Sequence, residues 1–268
     1  TTVAAGSGND ITLDQSGNDF QSAVGITSGN NVTITDANAL DLGASTVSGT
    51  LDVNTSGNVT DSGNVDVSGA TTIAAGSGND ITLDQSGNDF QSAVGITSGN
   101  NVTITDANAL DFGASTVSGT LDVNTTNADL TQSGAVTAAG VTKLDSGTGN
   151  INLTDTGNSF GDLEVTAATS SITENDAITD GAAWSTTGTA TLNADGGAAD
   201  ITLDEASSTT GALNLTGAAA TVDRDAAIEF GGGTVSSLTA TSGTGITDSG
   251  TITSTGGLVA TTDAGNGD

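Results

Sequence analysis

The side chains in this sequence that could do chemistry are almost all carboxylates and amides. Of 268 residues, 32 are Asp or Glu, Lys143 and Arg224 are the only cations, and His and Cys are absent. The most suggestive spacing is Gly6-Ser7-Gly8-Asn9-Asp10, repeated at Gly76-Ser77-Gly78-Asn79-Asp80. A glycine-rich turn closing on aspartate offers carbonyl and carboxylate oxygens, the ligands calcium prefers. Where such turns build calcium sites they recur every nine residues, so that one turn completes its neighbour's cage. Here they recur after 70. A Gly-Asn-Asp turn leading into a strand is the preferred reading. Asp10, Asp14, Asp80 and Asp84 are left as weak surface candidates for Ca2+, the one cofactor the sequence suggests.

Catalysis has little to work with. Two carboxylates roughly 5 to 9 Å apart can hydrolyse a glycosidic bond, but in a stack of strands any outward Asp acquires such neighbours. With His and Tyr absent and the two cations 81 positions apart, no group is placed to complete a hydrolase or lyase. Near-duplicate segments also fit poorly with a single locked catalytic shell. The expectation is no enzyme, with no catalytic and no cofactor-binding residue. Asn30-Asn31 and Asn100-Asn101 read as amide ladders capping the turns between strands. Thr12, Thr33 and Thr35 could form a hydroxyl array, and glycan or ice bound through an outer Thr/Asp face is the alternative function.

The elements that must position these groups are set by a duplication. Thr1 to Thr55 is copied at Thr71 to Thr125 with two changes, Val3 to Ile73 and Leu42 to Phe112. Inside each copy, apolar triplets such as Ile11-Thr12-Leu13, Val32-Thr33-Ile34 and Leu51-Asp52-Val53 alternate like short strands. Glycine and asparagine turns separate them. Ile11, Val32, Leu51 and Ile73 follow one another at steps of 21, 19 and 22 residues. Strands this short bury a face only by stacking on their neighbours.

The sequence therefore predicts an all-β parallel β-helix, a solenoid with about three coils per 70-residue repeat. It reads as a single shaft over 1–268, with units at 1–70, 71–140, 141–190 and 191–260 and a frayed tail at 261–268. The third unit is one coil short. The core is assigned to Ile11, Leu13, Phe20, Val32, Ile34, Leu51 and Val53, with Ile81, Leu83, Phe90, Val102, Ile104 and Phe160 as their later counterparts. Trp184, the one tryptophan, is expected to cover the gap left by the missing coil.

A net charge of -30 repels nucleic acid and anionic membranes. Few aromatics with abundant Gly, Ser and Thr would also suit disorder, but the absence of proline and the fixed strand spacing favour a folded chain. No apolar run is long enough to span a membrane as a helix, and membrane insertion is not expected. The lack of methionine at position 1 reads as a processed chain or a segment of a longer one, whose neighbouring repeats would be its first partners.

The wording of the repeat then resembles a known family. Asn31 through Gly43, Thr46-Val47-Ser48-Gly49-Thr50-Leu51-Asp52-Val53 and Val59-Thr60-Asp61-Ser62-Gly63 are similar to the repeat regions of filamentous-haemagglutinin-like adhesins, bacterial exoproteins of the two-partner secretion type. The resemblance implies a right-handed parallel β-helix shaft, secreted or held at the bacterial cell surface through an outer-membrane secretion partner. It implies a part in cell attachment, aggregation or biofilm formation. A pure spacer would bind nothing itself, whereas a binding module would hold surface glycan or a sister rod along its own side. The family's secretion domain has no match here.

Overall fold

In a computed structural model the described residues run from Thr1 to Thr262. They form a right-handed parallel β-solenoid, organised in two compact units, Thr1–Gly140 and the stretch from Val141 onward. No helix longer than the single 3-10 turn Asp195–Gly197 occurs among them. The strands are mostly three to five residues long, and they pair in parallel. That arrangement requires each chain segment to travel once round the body before it meets its own neighbour.

In the first unit successive strands fall in turn on three sides, A, B and C. On side B, Ile11 stacks on Val32, Val32 on Leu51, Leu51 on Thr71 and Thr71 on Val94. On side C the column is Leu40, Val59, Ile81, Val102 and Leu121. Side A carries Ser45–Val47, Val65–Val67 and Asp89–Phe90. The alternation of each triplet sends its outer two residues inward. Val32, Ile34, Leu51, Val53, Ile81, Leu83, Val102 and Ile104 are all within 2 % of full burial. Each such aliphatic side chain removed from water contributes roughly 1.5–3 kcal/mol.

The expected column differs at one step. Thr71, not Ile73, stacks on Leu51, and Ile73 stacks on Val53; Thr71 is nonetheless turned inward and 1 % exposed. Ile11 and Phe90 are buried as expected. Leu13 and Phe20 are only half-buried, because the first described coil has a neighbour on one side only. Thr261 and Thr262, expected in a frayed tail, are instead strand residues paired with Thr241 and Ser242. The rest of that tail, 263–268, lies outside the described residues.

The duplication and the coil are out of step. Ile11 sits on side B, but its copy Ile81 pairs with Val59 and Val102 on side C. Val32 is on B and its copy Val102 on C. Seventy residues thus make three turns plus one further side, so each copy is rotated by a third of a turn from the one before. Glycines at the corners let neighbouring coils approach closely. A Cβ on Gly49 would lie 2.5 Å from Asn31 Oδ1, and one on Gly69 would lie 2.6 Å from the Gly49 carbonyl.

The second unit repeats the plan less regularly. Strand Ile178–Thr186 pairs Asp180 with Leu163 and Trp184 with Val165, so three residues stand opposite Glu164 alone and two are extra, a bulge. Trp184 fills the core beside that bulge at 0 % exposure, its indole N–H donating to Ser170 Oγ at 3.2 Å. The strands Leu213–Arg224 and Ile228–Ser242 bend round a corner without breaking. Phe160 is 6 % exposed, in the core as expected.

Candidate interaction surface

The polar groups divide into those that tie coil to coil and those that face outward. Asp10 belongs to the first kind. Its Oδ1 accepts from Asn30 Nδ2 at 3.0 Å and from Asn31 N and Nδ2, both at 3.1 Å. Asn31 Oδ1 in turn accepts from Thr50 N and Oγ1, each at 3.1 Å. The ladder thus spans three successive coils. The second copy rebuilds it with Asp80, Asn100, Asn101 and Thr120. The Asn31 and Asn101 backbone N–H groups, helped by the Asn30 and Asn100 amides, hold both carboxyls below the usual range. These donors favour the charged form.

The four calcium candidates are not brought together. Asp14 meets Gln15 Nε2, and the backbone N–H of Asp84 donates to Asp61 Oδ1 at 3.0 Å. Among the described residues no cluster of three or more His, Cys, Asp or Glu side chains is placed to hold a metal.

A second set of carboxylates is buried, which the sequence reading did not anticipate. Asp36 accepts the backbone N–H of Phe20 at 3.0 Å and of Asn38 at 2.9 Å. Asp106 does the same with Phe90 and Asn108, and Glu174 with Phe160 at 2.9 Å. Each acid clasps the phenylalanine backbone of a neighbouring coil. Burial pushes Asp106 up to about 6, partly offset by the bonds from Asn108 and Phe90. It pushes Glu174 up to about 9, with Asp176 beside it raising it further. The recurrence of Asp36, Asp106 and Glu174 behind Phe20, Phe90 and Phe160 was a signal present in the sequence.

Two related relays use Asp61 and Asp180. Asn88 donates to Asp61 Oδ2 at 2.7 Å and accepts from Val65 N at 2.8 Å. Ser208 donates to Asp180 Oδ2 at 3.4 Å and accepts from Trp184 N at 2.9 Å. Burial raises both acids. Arg224, 2 % exposed, donates to Thr210 Oγ1 while its Nε and one terminal nitrogen are buried without partners. Burial lowers it to about 10, against the pull of Asp180.

The outward rows carry what a partner would meet. In the first unit every side bears acids, because the repeat turns them from side to side. Asp52 lies on B between Thr33 and Thr72, and its copy Asp122 lies on C beside Thr103. Asp66 and Asp89 stack on A. In the second unit the sides differ. One sets Lys143 against Glu164. Another stacks Thr179, Thr202, Thr221 and Thr239, with Asp223 beside them on the same strand. The third has the rows Asn152, Ser171, Thr191, Asn214 and Thr173, Asn193, Thr216, Thr234, Thr253, with no charged residue in either.

Stacked parallel coils whose internal polar groups bond coil to coil define the class: a repetitive β-solenoid scaffold. The chain belongs to the family described as repeats of unknown function (DUF5649), whose model matches residues 1–27, 29–97, 99–167 and 161–216. The second and third matches begin 70 residues apart, in phase with the duplication. No curated protein and no solved structure matches the chain.

Proposed function

We propose that this solenoid is the structural shaft of a large bacterial adhesin, secreted or displayed at the cell surface, where it supports attachment, aggregation or biofilm formation. The observation that carries the reading is the reuse of one set of coil-to-coil bonds in successive copies, Asp10 with Asn31 and Thr50, then Asp80 with Asn101 and Thr120. Such a design extends a body by adding copies, and sets no single group of side chains apart for chemistry. The reading is therefore non-enzymatic, with an outer-membrane secretion partner and neighbouring repeats as its first partners. The similarity of its repeat wording to two-partner secretion adhesins supports the location.

Antibody raised against residues 1–268 tests this on intact cells that make the protein. The expected result is surface labelling that brief protease treatment removes, with weaker cell aggregation after deletion of the segment. Signal confined to the cytosolic fraction would overturn the reading.

A further inference from the structure

We infer that two uncharged outward rows on one side of the second unit form a binding face for a neutral, hydroxyl-rich polymer, a polysaccharide chain laid across successive coils. At its centre are Ser171, Thr191 and Asn214 in one row and Thr173, Asn193 and Thr216 in the next. Neighbours along a row are about 4.8 Å apart and the rows about 6.6 Å apart, from the geometry of stacked strands. Hydroxyls and amides both donate and accept, which is what a polyol requires. A carboxylate only accepts when ionised.

Three observations set this face apart. First, its two outward rows carry no charge in a chain of net charge -30, whereas outward rows on every side of the first unit and on both other sides of the second include acids. Second, its side chains are held: Asn214 Nδ2 donates to Thr191 Oγ1 at 3.3 Å, and Thr173 is only 8 % exposed although it stands in an outward row. Groups already ordered lose less entropy on binding. Third, hydrogen-bonding capacity remains unspent. Asn193 Oδ1 is buried with no partner, an orphaned acceptor that costs free energy until a donor reaches it.

The charge pattern chooses the occupant. An anionic polymer would be repelled by the acids on the flanking sides, and a second copy would bring its own thirty net negative charges alongside. A neutral polyol meets neither cost. With no aromatic in the two rows, the grip comes from many weak hydrogen bonds, so affinity must grow with ligand length.

Affinity electrophoresis of the full chain in native gels containing a neutral glucan or galactomannan, with alginate as the anionic control, tests this. Expected is retardation by a neutral polymer that is absent with alginate and persists when short oligosaccharides are offered as competitors. Thr191→Asp with Thr216→Asp should weaken retardation about tenfold or more, each 1.4 kcal/mol being one decade. Thr202→Asp with Thr221→Asp, on a neighbouring side, should leave it unchanged; circular dichroism and melting confirm that both variants fold.

Equal loss in both variants, retardation by alginate as strong as by neutral polymers, or no retardation by either neutral polymer would overturn the inference. So would sedimentation velocity in which the Thr191/Thr216 pair abolishes self-association instead. None of these outcomes touches the shaft reading, which requires only the stacked fold and its location.

Discussion

At the scale of single residues, the buried carboxylates make stability depend on pH in an unusual direction. Asp106 and Glu174 have folded pKa values raised to about 6 and about 9. Each therefore holds its proton more tightly folded than unfolded. Their contribution is complete below the unfolded values and is lost as pH rises through the folded ones. Melting temperature should fall from pH 5 to pH 9, Asp106 acting in the lower part of that window and Glu174 across all of it. Glu174→Gln keeps an acceptor for the Phe160 N–H and removes the charge. It should flatten the upper slope and raise melting at pH 8 by a few degrees, given about 2–4 °C per kcal/mol at this size. A variant melting below the parent at pH 8 would refute the assignment.

Asn88 offers a second residue-scale test, because Asn18 has the same neighbours in sequence. Asn88 is 0 % exposed and bridges Asp61 to Val65, whereas Asn18 donates to the Leu13 carbonyl in a half-buried turn. Asn88→Ala leaves a buried carboxylate and a backbone N–H short of partners and should cost about 2–4 kcal/mol. Asn18→Ala should cost about 1 kcal/mol or less. Urea denaturation of the pair reads the difference.

At the scale of strands, facing is the testable property. Ile104 is 0 % exposed, and its neighbour Thr103 points outward between Thr82 and Asp122. Ile104→Asp buries an unpaired charge and should cost several kcal/mol, about ten times the effect of Thr103→Asp. Comparable damage from both in urea titrations would mean the strand faces are reversed.

The rotation of the repeat is a property of strands as well. Thr82 neighbours Thr60 on side C, while Thr33 neighbours Asp52 on side B. Since the native chain has no cysteine, a short dithiol-reactive cross-linker reports adjacency cleanly. It should join Thr60→Cys to Thr82→Cys and Thr33→Cys to Asp52→Cys, but not Thr33→Cys to Thr82→Cys. Efficient joining of the last pair would return the copies to one side.

For the molecule as a whole, charge dominates. With 32 acids and two cations, outward carboxylates on neighbouring coils lie within the roughly 8–10 Å over which physiological salt leaves them interacting. Sodium chloride should therefore raise the melting temperature. Asp10 and Asp80 spend Oδ1 on amides, so calcium chloride at matched ionic strength is expected to give the same curve. A further rise with calcium, abolished by EDTA, would place divalent ions on the acids.

How much of this was legible in the sequence differs with the range of the interaction. The all-β solenoid, its coil length and its inward residues follow from local facts: the alternation in Ile81-Thr82-Leu83, the turn glycines, and spacings near 20. Each depends only on a residue and its next neighbours, so the sequence by itself determined them. Tertiary structure decided what depends on the remainder after whole turns. Ten sides do not divide evenly among three, so Ile11 and Ile81 part company although their neighbours are identical. The same remainder spreads Asp52 and Asp122 over different sides and makes every side of the first unit acidic. Where the copies diverge after 140, that rule lapses, and only the register of Ser171 on Thr191 on Asn214 shows an outward row without charge. The recurrence of Asp36, Asp106 and Glu174 behind the three phenylalanines marks them as a set in the sequence, but not as buried. An acid's position in the sequence does not say that a backbone N–H from a neighbouring coil awaits it, and that partner is what allows the carboxyl inside.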